Sequence, residues 1–243
     1  MSLAPPPWRA LGQWAFAGAS AAAFLGPATA LGQVSPMTSL RLLRRWARLQ
    51  LSQLGITVSV DDRSGYDGRR GVLLVDLHQQ TLLSTLIYPT VCPYPASLIV
   101  NVEYAALPLV GWLMLSLGSV PIVRQHPEQA KAAMASVVAR LRAGEIFGMS
   151  IEGQRSRDGG LSPYKKGAAV LAIEAQVDII PFMSFGEWAL WPRGEWRVRP
   201  GHVHCVVYPP VSTKGLTYAD RDALVARLRA LAERELAARA TPT

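Results

Sequence analysis

The chain has 243 residues, half of them hydrophobic, and a formal net charge of +8. That length suits one domain plus an appendage, and the positive charge favours an anionic partner, either nucleic acid or anionic lipid. Cys92 and Cys205 are the only cysteines, so neither a CxxC zinc site nor a redox pair is supported; a single disulfide stays open, with a reducing compartment the simpler assumption.

Residues 10–40 carry no charge and are rich in Ala, Leu, Gly and Phe. A transmembrane helix needs about 20 such residues. Pro27 divides the run, so a helix–break–helix hairpin in one leaflet competes with a single span. A signal peptide is a third reading, on the small residues near Ala28. Arg41, Arg44, Arg45 and Arg48 follow, with Leu40, Leu43, Ala47 and Leu51 at helical spacing beside them. This predicts a basic amphipathic helix whose arginines meet anionic headgroups at about 1 kcal/mol each. The arginine excess places the following domain on the cytoplasmic side of the cytoplasmic membrane. The basic residues lie beside apolar sequence and are not interleaved with aromatics, so the expected partner is a membrane surface and no nucleic acid.

Residues 1–50 therefore read as a membrane-anchoring segment and 51–243 as the main domain. Strands are predicted at Ile56–Val60, at the continuous apolar run Gly71–Val75, and at Glu145–Ile151, Ile179–Phe185 and Val203–Tyr208. Helices are predicted over Gln129–Ala143 and Asp220–Ala240. Strands alternating with helices define an α/β fold, a mixed central sheet flanked by helices.

The run from Ser150 to Gly159, followed by Pro163-Tyr164-Lys165-Lys166-Gly167, is a polar loop between an apolar strand and a helix. Its glycines let backbone amides approach a ligand, and its arginine forks match phosphate oxygens. Glu152-Gly153-Gln154-Arg155-Ser156, then Lys165-Lys166-Gly167, then Val177-Asp178-Ile179-Ile180-Pro181, resemble an ordered motif series of the glycerolipid acyltransferases that acylate 1-acylglycerol-3-phosphate. Upstream, Asn101 to Trp112 and Gly118-Ser119-Val120-Pro121-Ile122-Val123-Arg124 resemble further segments of that series. The resemblance covers roughly residues 50–240. It implies a fold like that of glycerol-3-phosphate acyltransferase, and transfer of a fatty acyl group from acyl-coenzyme A or acyl carrier protein to a lysophospholipid hydroxyl. It implies that Arg124, Glu152, Gly153 and Arg155, with Ser156, bind the acceptor. Lys165 would meet phosphates, and Pro181 would shape the acyl or acceptor site. Alcoholysis of a thioester needs no cofactor and no metal. Gln154 stands where the family has threonine and leaves room for a different acceptor.

His78 ends the strand that begins at Gly71, and the resemblance makes it the general base, a task that suits imidazole. The family pattern places an aspartate five residues later; here Leu83 stands there, or Ser84 if one residue is inserted. In the serine-protease example the equivalent acid is worth about 10⁴ in turnover. Asp76 is the nearest substitute, about 6–7 Å away on the same strand face by the strand rise. The missing acid also supports a second reading, a catalytically silent lipid-binding relative. His202 and His204 share a strand face but have no third acid or thiol beside them, so a structural role is the better reading.

Overall fold

The computed structural model describes residues 4–123 and 126–240. The chain opens with two long helices, α1 (Pro7–Leu31) and α2 (Pro36–Gln53). It continues through β1 (Ile56–Asp62), β2 (Val72–Asp76), α3 (Ser84–Val91), β3 (Ser97–Asn101), α4 (Val102–Ala105), α5 (Val110–Ser116) and β4 (Val120–Ile122). After α6 (Pro127–Arg142) come β5 (Ile146–Ser150), α7 (Gly167–Ala175), β6 (Ile179–Phe185), α8 (Glu187–Leu190) and β7 (Gly201–Val207). A short 3₁₀ turn at Tyr218–Asp220 leads into α9 (Arg221–Ala240).

The strands form one seven-stranded sheet in the order β1-β7-β6-β2-β5-β3-β4. All neighbours are parallel except β6 and β7. The sheet is therefore mixed, as the alternating pattern predicts. β2 lies between β5 and β6, and all five of its residues are buried, which explains its unbroken apolar run. Each of Val72, Leu73, Leu74 and Val75 contributes roughly 1.5–3 kcal/mol by burial. Leu73, Val75 and Leu77 face a core shared with α6, α7 and α9. Val72 and Leu74 face the other side, beneath α3 and its neighbours. Both layers hold β2 at the centre, so the loop leaving it is fixed in place.

The N-terminal segment departs from expectation. Pro27 does not divide it: α1 runs unbroken through Pro27, and the chain reverses only after Leu31. A proline removes one helical donor, yet the flanking bonds continue. α1 and α2 lie side by side. Gln13 Nε2 donates to the Gln53 carbonyl, Trp46 Nε1 and Gln50 Nε2 to Ser20 Oγ, and Ser39 Oγ to the Ala28 carbonyl. The pairings run in opposite directions along the two helices, so this is an antiparallel hairpin. Its second arm is part of the main core, because Ala47 and Leu51 pack with Ile56, Leu83, Leu86 and Ile87. Arg44 also differs from the expected headgroup contact. It turns inward and donates to the Pro89 and Cys92 carbonyls at 2.8 and 2.6 Å, at the C-terminal end of α3. Cys92 and Cys205 are buried free thiols, which settles the open disulfide in favour of none.

Candidate active site

The site is built where β2 and β5 end side by side. Asp76 is the last residue of β2 and pairs in register with Ser150, the last of β5. Two loops leave these strands, one carrying His78, the other the glycine- and arginine-rich segment. They are sewn together by main-chain bonds. Ile151 N–H donates to the Asp76 carbonyl at 3.1 Å, and Ser156 N–H to the Gln79 carbonyl at 2.9 Å. Tyr164 hydroxyl donates to the Leu77 carbonyl at 2.6 Å. Arg229 of α9 braces the second loop from behind, donating to the Ser162 carbonyl at 2.7 Å with its guanidinium over the Tyr164 ring.

His78 is buried, with 1% of its surface exposed. Its Nε2 lies 3.1 Å from the Gly159 carbonyl oxygen. Its Nδ1 lies 3.6 Å from Glu152 Oε2 and makes no hydrogen bond. An oxygen acceptor therefore faces each ring nitrogen. Burial pulls the imidazole pKa down, but the Glu152 carboxylate, the Gly159 carbonyl and Asp76 outweigh it and the net direction is upward.

Gly159 can approach this closely because it has no side chain. Its φ is +88°, in the left-handed region, and a Cβ there would lie 2.8 Å from Trp188 Cδ1. Ser156, fully buried, holds the turn. Its hydroxyl donates to the Gly160 carbonyl at 2.8 Å and accepts from Gly159 N–H at 2.9 Å.

Three buried carboxylates surround the histidine. Asp76 Oδ1 accepts the His78 backbone N–H at 3.0 Å. Burial, followed by the Glu187 charge, pushes Asp76 up to about 7, with the His78 amide opposing. Glu152 accepts Gln79 N–H at 2.8 Å on Oε2 and Ser162 N–H at 2.5 Å on Oε1. Glu187 accepts from the hydroxyls of Ser184, Thr81 and Ser84, the latter two at 2.9 Å. Burial raises its pKa, and those hydroxyls oppose the rise.

The sequence-derived site residues are thus sorted. His78, Asp76, Glu152 and Ser156 come together. Asp76 serves the His78 main chain, so the expectation that it is the carboxylate nearest the ring is corrected: Glu152 is. Glu152 itself accepts two backbone amides and faces the imidazole. The Ser156 hydroxyl is likewise occupied within its own loop. Gly153, at φ +62°, opens that loop. Arg155 is half-buried on it, with no ion pair among the described residues, and Lys165 is exposed at its end. Pro181 does not join the site. It is buried in β6 opposite Val75, on the sheet face of Ile179 and Met183. Arg124 lies outside the described residues. Leu83 is fully buried in an apolar cluster, and Ser84 points at Glu187. His202 and His204 meet the hydroxyls of Thr57 and Ser59. Glu187, Gln80 and Tyr164 escaped the sequence reading; the neighbourhood of Glu187 was signalled only by Ser84 as the alternative acid position.

A buried imidazole thus stands at the end of a central strand of an α/β sheet, beside a basic glycine loop. The family model described as Acyltransferase matches residues 58–184. Mouse 1-acyl-sn-glycerol-3-phosphate acyltransferase alpha is 31% identical over 81% of this chain and 68% of its own length. The Limnanthes douglasii 1-acyl-sn-glycerol-3-phosphate acyltransferase is 32% identical over 56% of this chain and 48% of its own. The Brassica napus chloroplastic relative is matched over only 31% of its length, so the chain spans a third to a half of these plant proteins. The fold is that of the 1-acyl-sn-glycerophosphate acyltransferase PlsC from Thermotoga maritima, with TM-score 0.79 and 21% identity over 97% of this chain and 96% of that one. The chain belongs to the acyltransferase family.

Proposed function

We propose that this protein moves a fatty acyl group from acyl-coenzyme A or acyl carrier protein to a lysophospholipid hydroxyl at a membrane surface, most simply to 1-acylglycerol-3-phosphate, giving phosphatidic acid. The observation that carries this is the position of His78 Nε2, which faces a carbonyl of the same short loop that bears Arg155 and Arg157. An acceptor whose phosphate meets those arginines presents its hydroxyl in place of the Gly159 carbonyl. The neutral imidazole takes the hydroxyl proton, the oxygen attacks the thioester carbonyl, and a C–O bond forms. The C–S bond then breaks and the thiolate leaves with the proton returned from His78. Arg155 supplies a fork for the phosphate, and Gly153 lets main-chain amides approach it. Arg124 and Lys165 complete the anion binding in this reading.

The hairpin supports membrane attachment in one leaflet. α1 is long and apolar enough to cross a membrane. However, α2 lies antiparallel along it and exposes Arg41, Arg45 and Arg48. Crossing would carry these into hydrocarbon at about 2.5–3.5 kcal/mol each. Lying in the interface instead immerses Trp8, Leu11, Trp14 and Phe16, all exposed on α1. Trp14 Nε1 donates to the Trp196 carbonyl at 2.9 Å, so exposed Trp196 extends the same face. The catalytic domain then sits on the cytoplasmic side of the cytoplasmic membrane.

The buried Leu83 favours the second reading, a silent lipid-binding relative. Incubating the purified full-length protein in detergent with labelled acyl donor and a panel of lysolipids separates the two. Transfer that disappears in His78→Ala is expected. Transfer that survives this change sinks the general-base mechanism, and lysolipid binding without any transfer establishes the silent relative.

A further inference from the structure

We propose that Glu152 is the positioning acid of His78, filling the role that the family pattern gives to an aspartate at Leu83. The kinetic part of this rests on the acyl-transfer reading; the pairing itself does not.

The geometry excludes the alternatives in turn. Leu83 points into an apolar cluster. Asp76 is turned to the His78 amide, and Glu187 spends both oxygens on three hydroxyls. Among the carboxylates of the described residues only Glu152 comes within ion-pair reach of a ring nitrogen, Nδ1, which makes no hydrogen bond. At 3.6 Å the contact is too long for a hydrogen bond but within ion-pair reach. The carboxylate cannot drift away, because a backbone N–H from each loop holds it, Gln79 from the histidine loop and Ser162 from the glycine loop. Chemically this is what a base needs from its acid. The Nδ1 proton is fixed, Nε2 becomes the base once the acceptor hydroxyl takes the place of the Gly159 carbonyl, and the imidazolium formed on proton transfer meets a fixed negative charge. The helper has moved from a site close in sequence to one 74 positions away (residues 78 and 152).

The charged or titratable groups around the ring are Asp76 from β2, Glu152 and Tyr164 from the glycine loop, and Glu187 from α8. NMR titration of the His78 imidazole in the full-length protein tests the pair without any assay of transfer. The wild-type midpoint is expected above about 6.5. Glu152→Gln should lower it by about one pH unit or more. Asp76→Asn should lower it less. In the transfer assay Glu152→Gln should reduce kcat on the order of 10²–10⁴-fold. It should leave the acceptor KM within about threefold and move the acidic limb of kcat/KM to lower pH. Glu152→Asp should restore part of both. A His78 midpoint unmoved by Glu152→Gln, or an unchanged kcat, overturns the proposal. Should the glutamine variant not fold, the wild-type titration decides, because a midpoint at or below about 6.5 overturns the pair. Absence of transfer by wild type, with the midpoint still moving, refutes the function reading and leaves the pair standing.

Discussion

Replacing Leu83 by aspartate restores the family residue in sequence, and the structure predicts that it harms the protein. Leu83 is 0% exposed and packs in the cluster of Ala47, Leu51, Leu86 and Ile87. Truncating a buried leucine costs about 2–5 kcal/mol. Burying an unpartnered carboxyl adds roughly 1–3 kcal/mol even when it is protonated. The expected loss is therefore about 3–8 kcal/mol, a large part of a typical 5–15 kcal/mol stability. At roughly 2–4 °C per kcal/mol, Tm should fall by at least about 6 °C. The loss should also depend on pH. A buried aspartate has its folded pKa raised above the unfolded value of about 3.9, so the folded state holds the extra proton and stability declines as pH rises above 4. Thermal unfolding of wild type and variant at pH 4 and pH 8 should therefore show a smaller gap at pH 4. A variant as stable as wild type with raised turnover would refute the reasoning, because residue 83 would then have to reach the His78 ring.

Arg155→Ala should raise the acceptor KM about 10–100-fold, since charge-assisted bonds are worth roughly 1.5–3 kcal/mol, and Arg155→Lys should recover only part of it. Measured KM values unchanged in both variants would remove Arg155 from the phosphate site. Charge reversal at Arg41, Arg45 and Arg48 together should weaken sedimentation with anionic vesicles by more than 10³-fold, at about 1 kcal/mol per lost cation plus repulsion, while leaving the fold intact. Asp76→Asn should flatten the pH dependence of stability. The Asp76 pKa of about 7 exceeds its unfolded value, so the wild-type protein loses up to roughly 4 kcal/mol between pH 4 and 7 that the variant keeps. Chemical denaturation at pH 4 and pH 8 reads this difference directly.

Local pattern foretold the sheet well. The apolar run at Gly71–Val75 became a fully buried central strand, and Ile179–Phe185 is β6 residue for residue. Such runs are legible because burial on both faces leaves no polar position. The region from Leu83 to Ser116 gave no clear signal, because Pro89, Pro93, Pro95 and Pro108 cut it into helices too short for periodicity to register. Pro27 misled in the opposite sense, since packing against α2 overrides its breaking tendency. The histidine was legible from its motif. Which carboxylate lies nearest its ring was not, because proximity in sequence pointed to Asp76 while the fold brings Glu152 from another strand end to 3.6 Å from Nδ1. Arg44 shows the same limit: four similar arginines on one helix read alike, and only the position of α3 distinguishes the one that turns inward.

The Gly159 carbonyl and the Arg155 guanidinium belong to one turn, pinned by a single buried serine. In the proposed reaction, headgroup recognition and proton handling are carried on the same piece of backbone. Any sequence change that reshapes the turn to admit a different lysolipid also moves the oxygen that faces the base. On the proposed function, selectivity and speed are inherited together, and an engineer who wishes to alter one without the other would work from the Glu152 side of the ring, away from Arg155.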